Sequence, residues 1–250
     1  MSRSKYMVGN WKMNQSVKEI KEFFDQVEIG SSGNFWLAPQ SIHIGLCLQG
    51  GQAKGIQVGA QNCSDKVEGA YTGELSPTAL LDFGCKFTLV GHSERRSINK
   101  ERNSLLRSKT LVALAAGLKV IFCVGETLEE REMGMTEAVI RYQLEAGLLG
   151  LPESDKKNLI IAYEPVWAIG TGKTASAEQA EKAHSFIRTH LGENMGYDGE
   201  QLIILYGGSV KPSNVEELLS CPNIDGGLVG GASLKPADYS SLCRAAAKQS

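Results

Sequence analysis

The chain has 250 residues, with 26 Lys and Arg set against 28 Asp and Glu and a formal net charge of −2. A balance this even argues against a surface built to bind nucleic acid or anionic lipid. No uncharged apolar run approaches the length needed to span a bilayer.

In chain order, Tyr6 to Asn10 reads as a first strand. Ser16 to Glu19 has the form of a capping box, and Val17, Ile20, Phe23, Phe24 and Val27 follow at helical spacing. Asn34 to Ala38 predicts a second strand, with a helical stretch from Ser41, and Ile56 to Ala60 a third. The polar segment from Gln61 to Ser76 is too long for a plain turn, which points to a functional loop. Pro77 then opens a helix at its first position. Phe87 to Val90 predicts strand four, Asn103 to Ala116 a helix, and Lys119 to Val124 strand five. Thr127 to Glu130 caps another helix. Strand six starts at Leu159, strand seven runs from Gln201 to Tyr206, and strand eight from Ile224 to Val229. Ser213 to Glu216 reads as a capping box for the helix after strand seven, and Lys235-Pro236 opens the last helix.

Strand and helix alternate throughout, and eight such units in this length fit a closed (β/α)₈ barrel spanning residues 1–250 as a single domain. A doubly wound open sheet is the alternative. Six cysteines are scattered without a C-x-x-C pair, so reduced thiols and a cytoplasmic location are expected. The N-terminus has no apolar core of a secretory leader. The four histidines show no metal-ligand spacing, so no metal is expected.

The most informative stretch begins at Leu159. A short apolar run ends in Glu164, and Pro165 then forces the chain out of the sheet. A Gly-rich loop carrying Trp167 and Ile169 follows, and Ser176 to Gln179 caps the next helix. Gly172-Lys173-Thr174 imitates the end of a P-loop, but Trp167 stands where the first glycine is required. Gly170 to Ala175 fits a dinucleotide fingerprint in letters only, because Glu164 to Ile169 separate it from the strand.

Polar groups gather at the predicted C-terminal strand ends. They are Asn10 and Lys12; His92, Ser93 and Glu94; Glu164; Gly207, Gly208 and Ser209; and Gly230 and Gly231. In a barrel these ends meet at one mouth, where chemistry is placed. Each has a plainer reading alone: Lys12 a solvated charge, His92 a structural histidine, Glu94, Arg95 and Arg96 a surface ion-pair cluster, and the glycine pairs simple turns. Together, the Gly-rich loops after strands seven and eight point to a phosphate site made of backbone N–H groups.

Gly9 to Asn14, Gly91 to Arg96, Ala162 to Gly172, Tyr206 to Ser209 and Asp225 to Ser233 resemble the triosephosphate isomerase family, in order along nearly the whole chain. The resemblance implies a cofactor-free isomerase that interconverts dihydroxyacetone phosphate and D-glyceraldehyde 3-phosphate. Another sugar-phosphate isomerase, or a non-catalytic phosphate-binding barrel, is the alternative. It further implies Glu164 as base, His92 as electrophile and Lys12 as the positive charge on the substrate. Asn10 would help to hold the substrate, and Gly170, Ser209, Gly230 and Gly231 would bind its phosphate. Val166, Trp167, Ala168, Ile169, Gly170, Thr171, Gly172, Lys173 and Thr174 would form a closing lid, with Glu94 and Cys123 behind the site. The loop from Gln61 to Ser76 would pair two copies, with Thr72 reaching the partner's site and Glu74 and Arg95 bracing the contact. The chain departs from the family at Ser97-Ile98-Asn99, where an aromatic is usual; changed local packing is expected there, without loss of activity.

Overall fold

The computed structural model describes residues 3–30, 33–169 and 175–249. Eight parallel strands form one sheet: β1 (Tyr6–Asn10), β2 (Asn34–Ala38), β3 (Gln57–Val58), β4 (Phe87–Val90), β5 (Lys119–Val124), β6 (Leu159–Tyr163), β7 (Ile203–Tyr206) and β8 (Gly226–Val229). Sequential strands are neighbours, and β1 pairs with both β2 and β8. This order excludes the doubly wound alternative, whose strand order reverses at the middle of an open sheet. The ring is completed between β3 and β4 by the bridge Ala60↔Thr88, with the Ala60 N–H on Phe87 O and the Leu89 N–H on Ala60 O.

The strands are buried on both faces, as parallel strands flanked by helices must be. Val8, Trp36, Phe87, Leu89, Ile121, Cys123, Ala162, Leu205 and Leu228 pack inside the barrel. A second, larger cluster joins the outer strand faces to the helices. Tyr239, on the last helix (Pro236–Ala247), locks that layer to the sheet by donating to Met7 O and Trp36 O.

Helix starts follow their capping chemistry. Ser16, Thr127 and Ser176 each form both halves of a capping box. The box expected at Ser213 is absent. The helix there begins at Val215 after Asn214, whose Oδ1 accepts the Lys211 N–H and whose amide donates to Ser209 O. Asn214 is drawn into a turn that shapes the preceding loop, so no side chain caps this short helix. The expected strands three, seven and eight are trimmed at their ends, and the helical stretch at Ser41 opens as a 3₁₀ turn before the helix Ile44–Lys54. Five of the six cysteines are buried free thiols, and Cys221 is partly exposed. Among the described residues, no helix is long and apolar enough to cross a membrane.

Candidate active site

The C-terminal strand ends converge on a cavity of about 250 Å³ lined by Asn10, Lys12, His92, Glu164, Ser209, Gly230 and Gly231. Every residue that the resemblance assigned to catalysis or to substrate and phosphate binding therefore borders one space, except Gly170; Ser93 and Glu94 of the strand-end group do not line it. Gly170, with Thr171, Gly172, Lys173 and Thr174 of the expected lid, lies outside the described residues.

Glu164 follows β6 directly and is 2% exposed. The backbone beside it is crowded. A Cβ on Gly125 would lie 1.7 Å from Glu164 O, and one on Gly207 would lie 2.8 Å from Glu164 Cγ. Only glycine admits the carboxylate between β5 and β7 at that depth. Two nitrogen donors hold its oxygens: His92 Nε2 lies 2.8 Å from Oε1, and the Ser93 N–H donates to Oε2 at 2.8 Å. Burial alone would raise this carboxyl. His92, the Ser93 N–H and Lys12 outweigh it and hold the pKa below the ordinary carboxylate value.

His92 stands at the start of the short helix Ser93–Ser97, and its Nδ1 accepts the Glu94 N–H at 3.3 Å. The ring proton therefore sits on Nε2, aimed at Glu164. Burial favours the neutral ring, but the Glu164 carboxylate more than offsets it, so the pKa is raised while the pair is intact. Behind the pair lies Cys123, whose thiol is pushed far up by burial and by Glu164 and stays protonated.

Lys12 adopts a left-handed φ of 52°, unusual for a residue with a Cβ. Its N–H donates to Asn10 Oδ1 at 3.1 Å, and its carbonyl accepts from Gln61 Nε2 at 2.8 Å. Its ammonium is 2.6 Å from Glu94 Oε1. The expected cluster of Glu94, Arg95 and Arg96 thus divides three ways. Glu94 faces Lys12, Arg95 pairs with Glu101, and Arg96 donates to Gly91 O and Cys123 O beneath the site.

The two glycine-rich loops differ from simple turns. A Cβ on Gly231 would meet nothing within 4 Å, and one on Gly230 only Lys12 Cε at 3.6 Å. Packing does not require these glycines, and both line the cavity. By contrast, Gly226 and Gly227 belong to β8, and Gly226 lets β1 approach to where a Cβ would lie 2.0 Å from Tyr6 O.

Val166–Ala168 form a 3₁₀ turn, and Ala168 and Ile169 line the cavity. Trp167 donates its indole N–H to Glu126 Oε1 at 3.0 Å, and Arg131 stacks over its ring at 4.6 Å. Sequence reasoning missed Glu126, the role of Gln61, and Lys211, which also borders the cavity. Val124-Gly125-Glu126 does repeat the pattern of an apolar strand ending in an acid, and that was the available signal. Thr72 and Glu74 are exposed in the long loop, where Gly69 and Gly73 take positive φ. Among the described residues, no group of three His, Cys, Asp or Glu could hold a metal ion.

Comparison with known proteins gives one answer. The family model described as triosephosphate isomerase matches residues 5–246. The triosephosphate isomerase of Rhodopirellula baltica is 47% identical over 251 residues, covering 98% of this chain and 99% of that one. That of Herminiimonas arsenicoxydans is 45% identical, covering 98% and 100%. The protein of the same name from Debaryomyces hansenii is 47% identical, covering 94% and 96%.

Proposed function

From the premise that this chain belongs to the triosephosphate isomerase family and interconverts dihydroxyacetone phosphate and D-glyceraldehyde 3-phosphate, we propose how its residues divide the work. Glu164 removes the proton from the carbon bearing the hydroxyl. The C–H electron pair becomes the double bond of an enediolate, and the same carboxyl returns the proton to the neighbouring carbon. His92 donates its Nε2–H to the substrate oxygens, and the Lys12 ammonium offsets the charge that develops there. Asn10 orients Lys12 and the substrate. Backbone N–H groups at Ser209, Gly230, Gly231 and Gly170 hold the phosphate. The segment from Val166 to Thr174 closes over the cavity and excludes water.

The observation that carries this reading is the His92–Glu164 pair on the wall of the cavity that the two glycine-rich loops also line. The pair also suggests how the base is armed. When Glu164 turns to the substrate carbon, it gives up the two donors that hold its pKa down and becomes a stronger base. His92 loses the carboxylate that raised it, so burial and the Glu94 N–H leave a neutral ring whose Nε2–H is free for the substrate.

The test is triose phosphate interconversion by wild type and Glu164→Gln in parallel. The variant is expected to lose roughly a thousandfold or more in kcat, within the range for removing a positioned general base. Activity that survives would remove Glu164 from the role of base.

Two further parts complete the reading. Pairing of two copies through Thr72, Glu74 and Arg95 is supported by the exposed loop and by the family. A monomer-sized particle at micromolar concentration in sedimentation would overturn it. A cytoplasmic place in glycolysis and gluconeogenesis is supported by the free thiols and the family's reaction.

A further inference from the structure

The opposite, N-terminal mouth of the barrel has its own cavity. It measures about 200 Å³ and is bordered by the first residues of four strands: Tyr6 of β1, Lys119 of β5, Leu159 of β6 and Ile203 of β7. Lys156, Lys157 and Tyr197 close it. Its lining holds three lysines, Lys119, Lys156 and Lys157, and the Tyr197 phenol. The Tyr197 phenol is buried, at 7% exposure, and its hydroxyl has no partner among the described residues. Burial pushes its pKa up, so it remains an O–H donor. The Lys119 and Lys157 ammonium groups have no hydrogen-bond or ion-pair partner among the described residues.

The two carboxylates of the lining, Glu153 and Asp198, are each engaged through one oxygen. Glu153 pairs with Lys156 at 2.7 Å, and Lys156 also donates to Gly196 O and lies over the Tyr197 ring. Asp198 Oδ1 takes the N–H groups of Glu200 and Gln201. The buried group left without a partner among the described residues is the Tyr197 hydroxyl, and the unpaired Lys119 and Lys157 border the same cavity. A buried donor without a partner costs stability, and a fold tolerates it most readily where a ligand or water completes it.

We propose that this N-terminal cavity is a second anion site, taking inorganic phosphate or a small phosphate ester through Lys119, Lys157 and the Tyr197 hydroxyl. It is separate from the phosphate loops at Ser209, Gly230 and Gly231, and it touches none of the residues assigned to the reaction.

The experiment is calorimetric titration of the full-length protein with inorganic phosphate. Wild type is compared with the double variant Lys119→Ala/Lys157→Ala and with Lys157→Ala alone, whose exposed side chain is dispensable for folding. Two sites per chain are expected in wild type and one in the double variant, with an unchanged KM for triose phosphate. One site in wild type and none in the double variant would uphold this site while removing phosphate binding from the loops. An equal number of sites in both proteins would overturn the inference. Tyr197→Phe is expected to weaken the second site roughly tenfold, the loss of a hydrogen bond to a charged group. Unchanged phosphate affinity in that variant would remove the phenol from the site.

Discussion

Two buried glutamates sit one strand apart at the same barrel mouth, and they do opposite things. Glu126 follows β5 and is fully buried; Glu164 follows β6 and is nearly so. Glu126 is tied on every side. The Tyr163 hydroxyl lies 3.1 Å from both of its oxygens, the Trp167 indole donates to it, and Arg131 pairs with it at 3.1 Å. Glu164 has one imidazole N–H and one backbone N–H, and it faces an open cavity. Burial is common to both, so burial is not what sets the proposed base apart. The mark is a set of partners that can be exchanged for substrate. Glu126 is held by groups that form the wall itself, including Trp167 of the proposed lid.

Mutating the two acids to the same residue tests this contrast with the largest expected effects. Glu164→Gln should lose roughly a thousandfold or more in kcat while its unfolding free energy stays within about 1 kcal/mol of wild type. Glu126→Gln should show the reverse weighting. Its amide cannot serve the Tyr163 hydroxyl, the Trp167 N–H and Arg131 at once, so about 2 kcal/mol of stability should be lost. Its kcat should fall far less than that of Glu164→Gln. Urea unfolding and steady-state kinetics on both variants give the answer. Equal losses of kcat would mean that the lid anchor matters as much as the base.

The same contrast shows where sequence reading runs out. Strand, acid and departure from the sheet were legible at Glu164 because Pro165 stops the ladder and a glycine-rich segment follows. The apolar run ending in Gly125-Glu126 carries nearly the same local signal, and nothing local says that its acid faces Tyr163 and Trp167. That information lies in the register of β5 against β6, which sets Val124 beside Tyr163. Barrel architecture was legible for a different reason: eight short apolar runs alternate with helical spacing, and such a pattern depends on local periodicity. Gln61 was hidden because its work is done through a backbone carbonyl on another element. The absent capping box at Ser213 failed in the opposite way, since its letters fit while Asn214 was recruited to shape the Ser209 loop.

A third buried titratable group extends the comparison to a residue with no exchangeable partner and no cavity. His184 is fully buried and meets the Tyr163 ring edge-on, with Nδ1 3.3 Å from Asn223 O. Burial drives its pKa to about 3; the Asn223 carbonyl opposes this, and Arg188 and Lys5 add to it. The unfolded chain binds this proton near pH 6.5 and the folded chain does not, so the stability is complete above about 6.5 and is lost as pH falls from there toward 3. From this residue alone, lowering the pH from 6.5 to 5 should cost about 2 kcal/mol, a slope of about 1.4 kcal/mol per unit. In His184→Gln, unfolding at pH 7 and pH 5 should differ by that much less than in wild type, whatever the variant's absolute stability. Identical pH dependence in both proteins would show that His184 does not stay neutral in the fold.

The smallest expected effect separates the contributions within the Glu126 cluster. Among the described residues, Arg131 is the one charged partner of Glu126, and its side chain is a quarter exposed. It also lies over Trp167. Solvent screens such a pair, so Arg131→Gln should cost only about 0.5–1 kcal/mol, with the stacking contact included. If so, the neutral donors Tyr163, which is buried, and Trp167, which is partly buried, hold Glu126, and the guanidinium only closes the outer side. A loss in Arg131→Gln as large as that in Glu126→Gln would instead make the cluster a buried ion pair at heart. Glu126 would then resemble Glu164 in depending on one cationic neighbour, and the line drawn between the two acids would have to rest on access to the cavity alone.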